Sequence, residues 1–360
     1  MKILHVITSL RTGGAEKLMV DILPRQKSKG NEVDLAVFDG YRTAFTDQLE
    51  AAGINIINFN KEGGIYNPQN IFKLWKLFPK YDIVHTHLSS PQFFAALASV
   101  LCSVVLVTTE HNTSNRRRRW KWYACVDKWM YRKYRHVLCI SEATEKNLRD
   151  LIGDGVTELS TIYNGIDVEK FLKATPLNRS ELTPSVNKKI VVMVAAFRYQ
   201  KDQKTLIRAV KRLPEEYELW LVGGGELKEE IETFIKDQEM SNRVRMIGIR
   251  PDVPSVLKTA DIVVQSSHIE GFGLAAVEGM AAGRPLLASN VEGLAQVVEG
   301  AGVLFEHEND SQLAAEIARI CEDKKLYDAL ATRGIERAKL YDINKMVDSY
   351  LAIYSITLNK

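Results

Sequence analysis

The sequence predicts an α/β protein made of two doubly wound, Rossmann-like domains in tandem. Short apolar strands alternate with amphipathic helical patterns almost to the end, and that alternation breaks once and then restarts. The 360 residues suit two domains of about 150–180 residues, each able to bury its own core.

The first series of strands reads "KILHVIT", "EVDLAVF", "INIIN", "DIVHTH", "VVLVTTE", "HVLCIS" and "LSTIYN". Near-continuous apolar runs separated by helical patterns imply a parallel sheet covered on both faces. The first domain is therefore expected over 1–172. The stretch "KATPLNRSELTPSVNKK" (173–189) holds two prolines and no apolar period, and is expected to be an interdomain linker. Then "KIVVMVA", "YELWLVG", "RVRMIG", "DIVVQS", "PLLAS" and "GVLF" define a second domain over 190–342, followed by a helical tail over 343–360. Ligands are expected at the carboxyl ends of the strands and in a central cleft between the domains.

Composition narrows the function classes. Apolar residues make up 46% and charged residues 26%, with a net charge of +3, so nothing points to nucleic acid as a partner. The four cysteines are scattered without a CxxC pair, as in free thiols of a reducing compartment. "MKILHVITSL" reads as a first strand and not as a signal peptide. The apolar stretch 93–107 is shorter than the roughly 20 residues of a membrane span. A cytoplasmic protein without a transmembrane anchor is expected.

Three glycine-rich turns follow strands. "SLRTGGAEK" places Gly13 and Gly14 at the start of the first helix, where amides can approach an anion. It lacks GxGxxG spacing, and "VGGGELKEE" fails too, with Lys228 where the third glycine belongs, so a nicotinamide dehydrogenase is disfavoured. The third turn lies in "SSHIEGFGLAAVEGMAAGRP" (266–285), where Gly271 and Gly273 free the backbone at a helix start to seat a phosphate. Glu270 stands at its mouth and Glu278 on the helix, a step of at most ~12 Å at helical rise. A hydrolytic pair sits roughly 5–9 Å apart, so distance alone does not exclude hydrolysis. Two acids around a phosphate turn instead suit the two ends of a phosphate-bridged ligand; the plain alternative is an acidic N-terminal residue and an exposed helical glutamate.

"HIEGFGLAAVEGMAAGRPLLAS" resembles the Glu-x7-Glu donor signature of the retaining GT-B glycosyltransferases of glycosyltransferase family 4. "TGGAE", "DIVHTH", "TIYNGID", "QKDQKTLIRAV", "LVGGGEL" and "IGIRPDVPSVLKTADIVVQS" resemble further motifs in the family's order. The resemblance implies a GT-B fold whose tail crosses back to the first domain. It implies transfer of a sugar from a nucleoside diphosphate, UDP or GDP, to an acceptor hydroxyl, with no cofactor besides that donor. Glu270 would contact the donor sugar and Glu278 the ribose. The amides of Gly271, Phe272, Gly273 and Leu274 would face the diphosphate, with Lys201 offsetting its growing charge. The family's arginine five residues before that lysine is Ala196 here, leaving Arg198 as its substitute, and Gln296 replaces a common glutamate. His111 resembles a histidine near the transferring sugar and acceptor. His87 is a further candidate, His85 is expected in the core, and His5 and His268 receive no role.

No Asp-x-Asp dyad and no His/Cys cluster occurs along the chain, so no metal is expected and activity should survive chelation. The segment "RRRRWKWYACVDKWMYRKYR" (116–135) interleaves basic and aromatic residues with a single acid, Asp127. Trp122, Val126, Trp129 and Met130 share a helical face. Arg116, Arg117, Arg118, Arg119, Trp120 and Trp122 are therefore candidates for contact with an anionic membrane surface or a lipid-linked glycan acceptor, placing the protein on the inner face of the plasma membrane. The alternative packs the tryptophans on the first sheet. Rival functions are a nucleotide-sugar epimerase or hydrolase, a non-catalytic nucleotide-sugar binder and, less favoured, a phosphorylase.

Overall fold

The computed structural model describes residues 1–11, 13–111, 123–183 and 187–359. The chain forms two compact units, Met1–Gly165 with Ile343–Lys360, and Ile166–Asp342.

The first unit is built on β1 (Lys2–Ile7), β2 (Glu32–Val37), β3 (Asn55–Asn58), β4 (Ile83–His87), β5 (Val105–Glu110), β6 (His136–Cys139) and β7 (Glu158–Thr161). Every pairing is parallel, in the order β3-β2-β1-β4-β5-β6-β7. After exposed Lys2, β1 buries Ile3 through Ile7, as a strand covered on both faces must. Leu4, Val6, Val84, Leu106 and Val137 meet Phe78, Phe94 and Tyr131 in one core. Burying each such side chain contributes about 1.5–3 kcal/mol. The helix Ile343–Leu358 belongs to this unit and buries Tyr350 and Tyr354.

The second unit carries β8 (Lys189–Val194), β9 (Tyr217–Val222), β10 (Val244–Gly248), β11 (Ile262–Gln265), β12 (Leu286–Ser289) and β13 (Val303–Phe305), all parallel, in the order β10-β9-β8-β11-β12-β13. All 13 strand candidates read from the sequence are strands here. In each sheet the strand order reverses once, between β1 and β4 and between β8 and β11. The loops leaving those four strands flank the crevices where open α/β sheets hold ligands.

Two expectations change. Residues 173–189 are expected to link the domains, but the units divide at Gly165 and Ile166, and the described part of this segment packs on the second unit. Arg179 donates to Asp261 Oδ1 at 2.8 Å and to the Thr259 carbonyl at 3.0 Å, and Thr183 donates to Glu218 Oε2 at 2.9 Å. Glu218 is buried, and a buried carboxylate needs such donors, which explains the polar composition.

The basic aromatic segment is the second case. Arg116, Arg117, Arg118, Arg119, Trp120 and Trp122 lie outside the described residues. In the helix Tyr123–Tyr131, however, Met130 is buried and Trp129 packs against the first unit's core, so that part of the expected membrane face is used internally. Tyr134 just beyond donates to the Gln92 carbonyl at 2.7 Å. Among the described residues, no helix is long and apolar enough to cross a membrane.

Candidate active site

The switch point of the second sheet assembles the charged residues. β8 leads into the turn Tyr199–Lys201, and Asp202, in the left-handed region at φ 47°, starts the helix Gln203–Arg212 by accepting from the Thr205 amide at 3.1 Å. Across the crevice, the chain leaving β11 is stitched to that turn. Ser266 Oγ donates to the Asp202 carbonyl at 2.8 Å, and the His268 amide donates to the Gln200 carbonyl at 2.8 Å. These bonds hold Lys201 Nζ in an ion pair with Glu270 Oε2. Both side chains are mostly buried, 24% and 16% exposed, so the pair sits in partly dehydrated surroundings. The Gly271 amide donates to the other oxygen, Glu270 Oε1, at 3.2 Å.

The helix that follows, Leu274–Ala281, starts without a side-chain cap. The amides of Leu274 and Ala275 and the helix dipole are therefore available to an anion, while the Ala276 amide donates to the Gly273 carbonyl at 2.9 Å. Gly273 precedes it at φ 94°, where a Cβ would lie 2.7 Å from Leu294 Cδ1. Gly293, at φ 84°, backs the loop so closely that a Cβ would meet the Glu270 carbonyl oxygen at 2.4 Å. Phe272 is buried edge-on against Tyr341 at 5.2 Å, leaving only its backbone for a ligand. Glu278 is buried rather than solvated, which removes the reading of an exposed helical glutamate. Arg198 is exposed, and its guanidinium makes no hydrogen bond or ion pair with a described residue.

The switch point of the first sheet holds uncharged residues instead. His5 and His85 pair in register on β1 and β4, and His87 follows on the same face of β4. His5 Nε2 contacts Gln26 Oε1 at 2.8 Å, and Gln26 Nε2 lies 3.5 Å from the Tyr354 hydroxyl. With that amide orientation, Gln26 Oε1 accepts, so His5 carries its proton on Nε2 and accepts at Nδ1. His87 Nε2 then donates to His5 Nδ1 at 3.0 Å, and His111 Nε2 donates to His87 Nδ1 at 3.2 Å. His85 is satisfied separately, by Tyr354 at 2.5 Å and Thr109 at 2.8 Å. Burial holds His5 and His111 down to about 4. His85 and His87 are also lowered, by burial first and then by their histidine neighbours. All four stay neutral at pH 7.

Of the first-domain candidates, His87 and His111 are thus joined directly. Gly13 and Gly14 open the helix Gly14–Ser28, but a Cβ on Gly13 would lie 2.1 Å from Glu16 Oε2, so an acid of the chain itself stands at this glycine turn. Leu88, next to His87, is held at φ 68°, a conformation costly for leucine and typical of functional loops. Sequence reasoning missed His5 and Gln26. The i, i+2 spacing of His85 and His87 was the available signal for a shared strand face; the pairing with His5 needed the sheet order.

Comparison with known proteins adds chemistry to this geometry. The Glycosyltransferase Family 4 model matches residues 12–170 and the model of Glycosyl transferases group 1 matches residues 175–337. The chain is a glycosyltransferase of the GT-B fold. This glycosyltransferase is 28% identical over 318 residues to the Escherichia coli UDP-Gal:alpha-D-GlcNAc-diphosphoundecaprenol alpha-1,3-galactosyltransferase, covering 82% of this chain and 81% of that one. It is 25% identical to the putative glycosyltransferase EpsF of Bacillus subtilis, over 100% of this chain and 97% of the relative. Anabaena Alr3699/HepE, solved with UDP and glucose, superposes with a TM-score of 0.86 at 23% identity, over 99% of both chains, a likeness of fold.

Proposed function

We propose that this glycosyltransferase moves a sugar, with retention, from a UDP- or GDP-activated donor to a hydroxyl of a lipid-linked or surface-polysaccharide glycan. The observation that carries the reading is the Lys201–Glu270 pair beside an uncapped helix start at the switch point of the second sheet. Similarity to a galactosyltransferase that acts on a diphosphoundecaprenol-linked sugar supports the donor and acceptor classes.

In this reading the amides of Gly271, Phe272, Gly273 and Leu274 seat the diphosphate, and Lys201 offsets the charge that develops as it leaves. Glu270 holds sugar hydroxyls and Glu278 the ribose. The C1–oxygen bond to the diphosphate breaks while the acceptor oxygen bonds C1 from the same face, and the acceptor's proton passes to the departing phosphate oxygen. His111, neutral with its proton on Nε2, offers Nδ1 as an acceptor to a substrate hydroxyl, and His87 holds it in that tautomer. Arg198 supplies a second cation to the phosphates. Gly13 and Gly14 border the donor. The run Arg116–Arg119 with Trp120 and Trp122 engages an anionic membrane surface.

The test is a transfer assay with UDP- and GDP-sugars and polyprenyl-diphosphate-linked acceptors, with product mass and anomeric configuration read directly. A retained anomer formed in EDTA is the expected result. Inversion, sugar release without acceptor, or activity abolished by EDTA and restored by magnesium or manganese would each overturn a stated part of the reading.

A further inference from the structure

A second cluster of ligating side chains lies in the second unit, and nothing in the glycosyl-transfer reading uses it. Asp202, His268 and His307 are far apart in sequence, yet His268 Nδ1 lies 2.5 Å from His307 Nε2 and 3.7 Å from Asp202 Oδ2. Glu308 Oε1 is 3.5 Å from the same nitrogen. The cluster thus converges on one atom, His268 Nδ1. That nitrogen has one proton at most, so it cannot serve both of the carboxylate oxygens that face it.

Asp202 makes the mismatch explicit. Its side chain is 5% exposed; one oxygen caps the helix Gln203–Arg212, while Oδ2 is buried with no hydrogen-bond partner. Buried carboxylate oxygens without a donor are rare and call for a counter-charge. The first unit's histidines offer the contrast. His5, His85 and His87 also lie within ligating distance of one another, but every ring nitrogen there has a hydrogen-bond partner.

We propose that Asp202, His268 and His307 form a binding site for a divalent transition metal of the zinc class, with Glu308 within reach as a fourth ligand. Two imidazoles and carboxylate oxygen match the donor set that zinc takes. Ligand atoms around a tetrahedral zinc stand roughly 3.3 Å apart, given bonds of about 2.0–2.1 Å. The present separations bracket that value, and exposed His307 is free to move out to it. The ion would clamp three loops: the turn ending in Lys201, the segment between β11 and Glu270, and the loop after β13. It would brace the turn that carries Lys201 against the segment that carries Glu270, and the inference does not depend on the donor or acceptor assigned above.

The experiment uses the full chain, dialysed against EDTA and titrated with Zn2+ by calorimetry and with Co2+ by visible absorption. One equivalent should bind, the Co2+ form should show intense tetrahedral bands, and the thermal midpoint should rise with Zn2+ by mass action. His307→Ala and His268→Ala should each weaken binding at least tenfold, and both together should abolish the bands, while His307→Ala without metal melts and binds UDP close to wild type. Absence of stoichiometric binding overturns the proposal. So does binding that survives the double substitution, which would place the metal elsewhere. Should His268→Ala melt early, His307→Ala in its exposed loop remains decisive.

Discussion

The two sheets reverse strand order at equivalent places, yet the side chains gathered there are opposites. At β1 and β4 a chain of neutral imidazoles runs from Gln26 through His5 and His87 to His111, with distances of 2.8, 3.0 and 3.2 Å. At β8 and β11 a lysine and a glutamate pair beside a glycine turn and an uncapped helix start. The first arrangement suits uncharged hydroxyl groups, because it offers an oriented acceptor that does not titrate near neutrality. The second suits a ligand whose negative charge grows during reaction. Under the proposed function, this difference in polarity would divide acceptor from donor binding.

The largest effect is expected from breaking the charged side. Glu270→Gln should lower turnover on the order of 10²–10³-fold and also lower the melting temperature, since it leaves Lys201 without its counter-charge, as measured by initial rates and melting. Lys201→Ala should lower turnover by about 10²-fold and also weaken nucleoside diphosphate binding, since it leaves the Glu270 carboxylate without its cation. Equal rates in either variant would dissolve the contrast between the switch points.

Gly293→Ala tests whether backbone shape matters as much as charge. The new Cβ would meet the Glu270 carbonyl at a position already at φ 84°, so a stability loss of about 1–3 kcal/mol and a several-fold rise in UDP dissociation constant are expected from denaturation and calorimetry.

The neutral side predicts a pH dependence. The folded values of His5 and His111 are lowered to about 4, and His85 and His87 are lowered as well. The unfolded chain therefore binds more protons between about pH 6.5 and pH 4, and stability falls as pH drops through that window. Each histidine contributes a slope of about 1.4 kcal/mol per pH unit where only the unfolded form is protonated. Urea denaturation at pH 7 and pH 5 should show the decline. The smallest expected change is in His87→Gln, which should reduce turnover about tenfold and leave UDP affinity alone.

Much of this was legible in the sequence because apolar periodicity survives without knowing the fold. All 13 strands could be marked from short Val/Ile/Leu runs, and the glycine turn at 271–273 announced itself between a strand and a helix. Glu270 and Glu278 were found for the same reason, being local to that turn. What escaped was non-local. Lys201 and Glu270 are 69 residues apart, and their ion pair depends on Ser266 and His268 bonding to the opposite turn. His5 sits in an apolar strand and looks like filler until the sheet order sets it beside His85. Residues 173–189 looked like a linker because their polar side chains serve partners, buried Glu218 and half-buried Asp261, that lie far along the chain.

The most direct test of the proposed donor cradle is hydrogen exchange of the full chain with and without saturating UDP. The account predicts slowed exchange at the amides of Gly271 through Leu274 and in the turn Tyr199–Lys201, lost in Lys201→Ala at the same UDP concentration. UDP bound at saturation with exchange unchanged across residues 266–282 would contradict it.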